Sequence, residues 1–156
     1  MVVDGGGTIE NGLVLAAGES TVRGMAFVGF EGAAIRIEGP GGNTVAGSYL
    51  GVDPDGTTLR GNRYGVHIVG SRENTIGGSE EADRNVIGVR PSPAGTPTGD
   101  PAAGIYIAGD AADGNIVVGN YIGVTASGTA MLATGAARSG NGHCRRPCPG
   151  HECPRL

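Results

Sequence analysis

The chain has 156 residues, enough for one domain with a sizeable core, but with no Trp, two Phe, four Tyr and 32 Gly that core has to come from Val, Ile, Leu and Ala. Glycine at one residue in five without a strict period of three excludes collagen and leaves low-complexity disorder or a turn-dense β fold, and regular Val and Ile between the glycines favours the latter. The net charge of −4 combines an acidic body, with seven Arg against fourteen Asp and Glu in residues 1–137, and a basic tail; the body excludes the basic, aromatic-interleaved surface of a nucleic-acid binder.

Residues 1–12, MVVDGGGTIENG, have neither the basic segment nor the apolar stretch of a secretion signal, and no apolar run approaches the ~20 residues of a membrane span. The first recurring signal is TVRG at residues 21–24, which returns as TVAG at residues 44–47. Residues 35–47, IRIEGPGGNTVAG, match residues 66–78, VHIVGSRENTIGG, without a gap, keeping Ile37/Ile68, Gly39/Gly70, Asn43/Asn74, Thr44/Thr75 and Gly47/Gly78. Residues 43–57, NTVAGSYLGVDPDGT, return at residues 115–129 as NIVVGNYIGVTASGT, identical at 8 of 15 positions. Between these copies, Asn85-Val86-Ile87-Gly88 is a half-unit, and IYIAG at residues 105–109 leads to Asn115 through a linker two residues longer than its counterpart.

In every unit the apolar residues alternate, the strand period of two, over three to five residues before Gly, Asn or Asp intervenes. Strands so short are stable only when successive coils stack them ~4.8 Å apart, so that backbone groups pair between coils and inward side chains form ladders. The pattern therefore predicts an all-β, single-stranded parallel β-helix, a solenoid of about five or six coils, over residues 1–135. Asn43, Asn74, Asn85 and Asn115 are predicted at its corners, where Asn tolerates the left-handed backbone and stacked amides can bond along the axis. The Pro-rich stretch 90–103 is expected to loop out from one corner. The chain opens inside one coil and closes inside another, as a fragment of a longer protein would, and its uncapped ends are expected to pair with other chains and lower solubility.

The run GESTVRGMAFVGFEGAAIRIEGPGGNTVAGSYLGVDPDG, with ENTIGGSEEADRNVIG and GNIVVGNYIGVTASGT, resembles secreted bacterial right-handed parallel β-helix repeat proteins of the pectate-lyase-like superfamily, whose units read N-x-I-x-G-N-Y-I-G-T-D. The resemblance spans roughly residues 2–134. Ser48 stands where the pattern has Asn, Val52 and Val124 replace its Thr, and Thr125 replaces its Asp. It implies right-handed coiling and an extracellular or cell-surface location. Activity is left open, because the fold carries pectin-degrading lyases and hydrolases as well as catalytically silent stalks and adhesins.

Catalysis of that kind requires clustered acidic calcium ligands with an Arg base, or two or three carboxylates within ~5 to 10 Å. Asp53 and Asp55 are the close acidic pair in a repeat turn and the candidates for calcium; Thr125 and Ser127 at the equivalent places favour a solvated turn. Asp110 and Asp113 read as turn formers. SEEAD at residues 79–83 reads as an acidic loop, or one helical turn capped by Ser79. His67 lies between Val66 and Ile68 and so points outward, in line with Arg36 and Tyr106; stacked on one sheet, these three make a polar and aromatic strip suited to sugars, or ordinary solvent-facing positions.

In the tail, His143, Cys144, Cys148, His151 and Cys153 supply enough N and S ligands for one zinc ion, at a spacing that matches no common zinc module. The apolar rhythm stops where Arg, Pro and Cys enter, as a shifted reading frame in a GC-rich gene would produce, so residues 136–156 are expected to be disordered. The function expected is a structural or adhesive repeat module without catalysis of its own and without a cofactor. The alternatives are a carbohydrate-binding face and a remnant of a polysaccharide lyase or hydrolase. Its partners would be a polysaccharide or neighbouring β-helix coils, with no nucleic acid and no membrane span.

Overall fold

The computed structural model describes residues 1–90 and 102–132. The tail 136–156 and most of the expected loop 90–103 lie outside the described residues; Ala103 already belongs to a strand. Short strands in three parallel sheets account for nearly all the regular structure. Sheet A stacks β1 (Val2–Asp4), β4 (Ala26–Val28), β7 (Tyr49–Leu50), β10 (Val86–Ile87) and β13 (Tyr121–Ile122). Sheet B stacks β2 (Leu13–Leu15), β5 (Ala33–Glu38), β8 (Tyr64–Val69) and β11 (Ala103–Ala108), and sheet C stacks β3 (Thr21–Arg23), β6 (Thr44–Ala46), β9 (Thr75–Gly77) and β12 (Ile116–Val118). The chain passes through A, B and C in turn, circuit after circuit, and each strand pairs in parallel with its equivalent one circuit away. This arrangement is compatible with a parallel β-helix.

The sequence repeats are the strand register. Thr21 pairs with Thr44, Thr44 with Thr75, and Ile37 with Ile68, each at its sequence offset. The strongest repeat skips a rung: Tyr49 pairs with Val86 and Val86 with Tyr121, so segments 43–57 and 115–129 lie two rungs apart. Their turns nevertheless touch, the Ala126 N–H donating to the Gly56 carbonyl at 2.8 Å.

Alternation puts Ile35, Ile37, Val66 and Ile68 from sheet B, Val45 and Ile76 from sheet C, and Phe27, Leu50 and Ile87 from sheet A into one buried core. Each such aliphatic side chain contributes about 1.5–3 kcal/mol by leaving water. The sheet B strands β5, β8 and β11 run six residues rather than the expected three to five. Their extra length includes Gly65 and Gly104. A Cβ on Gly65 would lie 2.4 Å from Ile87 Cγ2, so glycine lets the strand continue against a bulky core neighbour.

The corners are fastened by amides. Between sheets B and C, Asn43 donates its N–H (3.0 Å) and Nδ2 (2.9 Å) to Asn74 Oδ1, and Asn74 donates its N–H (2.9 Å) and Nδ2 (2.8 Å) to Asn115 Oδ1. Between sheets C and A, Ser48 N–H reaches Asn85 Oδ1 at 3.0 Å and Asn85 Nδ2 reaches Asn120 Oδ1 at 2.9 Å. Between sheets A and B, Asn62 Oδ1 accepts the Phe30 N–H at 2.8 Å. None of these Asn residues has the left-handed backbone expected of it. At the B-to-C corner that conformation falls one residue earlier, at Glu19 (φ 57°) before Ser20 and at Gly42 (73°), Glu73 (56°) and Gly114 (68°) before Asn43, Asn74 and Asn115, whereas Arg84, before Asn85, is extended (φ −64°). Hydrogen bonding therefore favours Asn at these corners: Asn43, Asn74 and Asn85 each accept from the rung before and donate to the rung after.

Chain length varies unequally among the three corners. The links from sheet B to C are 16–20, 39–43, 70–74 and 109–115, whereas those from A to B are 5–12, 29–32, 51–63 and 88–102. The acidic segment contains a short 3-10 helix, Glu81–Asp83, preceded by Glu80 without a side-chain cap bond, so Ser79 does not cap it. Asp83 instead forms an ion pair with Arg23.

Candidate functional site

Among the described residues, the outward face of sheet B gathers a cluster of aromatic and cationic side chains. In-register pairing brings Arg36 beside His67 and His67 beside Tyr106, so these three residues stand in one row across β5, β8 and β11. The imidazole of His67 stacks on Tyr106 with centroids 5.0 Å apart and planes 29° from parallel. A fourth member, Tyr64, joins them, 5.0 Å from His67 and 5.5 Å from Tyr106. The Arg63 guanidinium lies 5.5 Å from the Tyr64 ring centre, and Arg36 Nε donates to Glu38 Oε2 at 2.9 Å. Tyr64 is buried whereas Tyr106 is 40% exposed, so one ring braces the cluster and the other presents it.

Sequence alternation missed Tyr64, because strict period two places it on the same side as Val66, facing inward. The structure breaks that rule: Ala34 and Ile35 both enter the core, and at the equivalent places Gly65 faces Ile87 and Val66 is buried. The preceding residue is thereby turned out. A small residue before each first apolar one, in Ala34-Ile35, Gly65-Val66 and Gly104-Ile105, is the signal that marks the break. Chemically, the strip offers flat apolar ring faces with hydroxyl, imidazole and guanidinium groups at their edges, a combination suited to a ligand with an apolar face and a hydroxylated rim.

Asp53 and Asp55 hold internal partners. Asp53 Oδ1 lies 3.5 Å from Arg60 Nη1, and Arg60 also forms an ion pair with Asp4. Asp55 accepts the Thr58 hydroxyl, and its Oδ1 accepts the N–H groups of Thr58 and Thr57, each at 2.8 Å. Those bonds, the Thr58 hydroxyl foremost, hold its carboxyl down to about 2. The Asp4 carboxyl is lowered by the Gly6 N–H and then by Arg60. In the other copy, hydroxyl contacts replace the carboxylate, Thr125 to Ser127 at 2.9 Å and Ser127 to Thr129 at 2.8 Å. Among the described residues no group of three or more His, Cys, Asp or Glu is placed to hold a metal ion. The zinc candidates His143, Cys144, Cys148, His151 and Cys153 lie outside the described residues.

A surface recess of about 380 Å³ lies on the B-to-C corner, away from the strip, lined by Glu19, Gly42, Arg72 and Glu73 among others. Within it Gly42, which has no side chain, stands in the corner row between Glu19 and Glu73.

No family model, curated protein or solved structure matches the chain. No helix among the described residues is long and apolar enough to cross a membrane.

Proposed function

We propose that residues 1–135 are a structural or adhesive repeat module, a right-handed parallel β-helix of five or six coils of the pectate-lyase-like kind, belonging to an extracellular or cell-surface bacterial protein and without catalysis of its own. One observation carries this reading: the polar side chains that the repeat reproduces are used for holding rung to rung. Asn43, Asn74 and Asn85 are wholly buried, and their amides bond to neighbouring rungs. No buried side-chain nitrogen or oxygen among the described residues lacks a partner. A chain whose repeated chemistry is devoted to stacking serves as a spacer or display surface. With the chain fused between two fluorescent domains, energy transfer is expected to report one narrow separation. A broad distribution, or release of unsaturated or reducing ends from pectin by the chain, would overturn the reading.

A second reading is favoured by the stacked rings of Tyr64, His67 and Tyr106: a carbohydrate-binding face along sheet B. Stacking of this type contributes about 0.5–1.5 kcal/mol per pair. On a polysaccharide array, Tyr106→Ala and His67→Ala are each expected to weaken retention roughly three- to tenfold, with Val14→Ala, in the same row on β2, as the unaffected control. Equal retention by all four proteins would remove the strip from consideration.

A further inference from the structure

The rung formed by β11 and β12 is paired on one side only among the described residues, and β13 stands one rung further along. The open side is therefore a step two strands wide. Its apolar residues are exposed where their equivalents one rung below are sealed: Ile107 is 39% exposed against 0% for Ile68, and Val117 45% against 0% for Ile76. The amide row of the B-to-C corner, in which the N–H groups of Asn43 and Asn74 each reach the next Asn Oδ1, ends here at Asn115.

We propose that this step is a docking site for an extended segment of a second polypeptide, added in parallel as the next rung, first along β11 and then along β12. The inference rests on the reading of the chain as stacked rungs and goes beyond it in naming the occupant. The rows beneath dictate its chemistry. It needs a small residue over Gly104, apolar residues over Ile105 and Ile107, an Asn over Asn115 to accept its N–H, and an apolar residue over Val117. These are the places held one rung below by Gly65, Val66, Ile68, Asn74 and Ile76. The sequence following β13 does not offer that pattern. Carried on at the offset of the 43–57 and 115–129 repeat, it has Arg138, Gly140 and Arg146 in the places of Val66, Ile68 and Asn74. An added strand would gain both backbone pairing and apolar burial, the two terms that drive strand addition to sheet edges.

The test uses the full chain and a labelled peptide with the sequence of residues 62–77, NRYGVHIVGSRENTIG. Saturable one-to-one binding is expected, with slowed amide exchange in β11 and β12. Changing the peptide residue equivalent to Ile68 to Asp should weaken binding at least tenfold, and Val117→Asp in the chain should do the same. No binding, equal binding by a scrambled peptide, or protection confined to β1, β2 and β3 would overturn the proposal while leaving the rung reading intact. Free exchange throughout β5 and β8 would overturn both.

Discussion

Gly51→Ala is expected to lower the melting temperature of the chain steeply, whereas Gly123→Ala, at the same place in the other copy of the 15-residue repeat, costs only the strain of its own backbone. Both glycines have a left-handed backbone, φ 83° and 76°. An alanine there costs about 1–2 kcal/mol in either position. The difference lies above them. A Cβ on Gly51 would sit 1.9 Å from the Gly88 carbonyl oxygen of the next rung, whereas one on Gly123 would meet nothing within 4 Å. A backbone carbonyl held by rung pairing cannot swing aside as a side-chain tip can, so relief requires the rungs to part. The Gly88 N–H is itself bonded to the Leu50 carbonyl at 2.8 Å, beside the clash. Together these effects come to roughly 4 kcal/mol or more, a large share of the ~5–15 kcal/mol that holds a domain together. Thermal unfolding by circular dichroism measures both variants. Equal losses would show that the spacing between rungs is slack.

The second large effect is expected at Asn74. In Asn74→Ala, the Asn43 N–H and Nδ2 lose their acceptor, and Ser71 Oγ and Asn115 Oδ1 lose a donor, at a place where Asn74 is wholly buried. An orphaned buried donor costs about 1–3 kcal/mol, and two of them together with the void left by the amide give roughly 3–5 kcal/mol. Asn74→Ser should recover part of this. Ser48 already serves at the neighbouring corner, accepting the Met25 N–H at 3.4 Å while its own hydroxyl donates to the Ala46 carbonyl at 3.0 Å. Urea midpoints order the three proteins, and faster exchange of the Asn43 amide in Asn74→Ala locates the damage. A loss below ~1 kcal/mol would mean that water replaces the amide without penalty.

The register of sheets B and C was legible in the sequence because backbone pairing forces equivalent residues to equal offsets, so Thr21, Thr44 and Thr75 align in space as they do on paper. The placement of Arg36, His67 and Tyr106 in one row followed for the same reason. Three features were not legible. Tyr64 entered the strip through a local break in alternation that Gly65 permits, and a period-two rule has no term for it. The left-handed corner position accepts Glu19 and Glu73 as well as glycine, so no residue type marks it, and Asn drew attention one place too late. The long repeat concealed its own geometry, since identity between segments 43–57 and 115–129 reflects turns that meet across an intervening rung rather than neighbouring coils.

The unequal corners have a consequence for how such a chain can change. Links between sheets B and C hold nearly one length and carry an amide row, while links from A to B range from residues 29–32 to residues 88–102 with the same core behind them. Insertions along that edge cost mainly the slowly growing entropy of a longer loop; the C-to-A corner has taken one as well, at residues 78–85 against 47–48 and 119–120, with its Ser48–Asn85–Asn120 bonds kept. The A-to-B edge is thereby the margin where the chain is freest to vary in what it presents to its surroundings, with the rung pairing behind it unchanged.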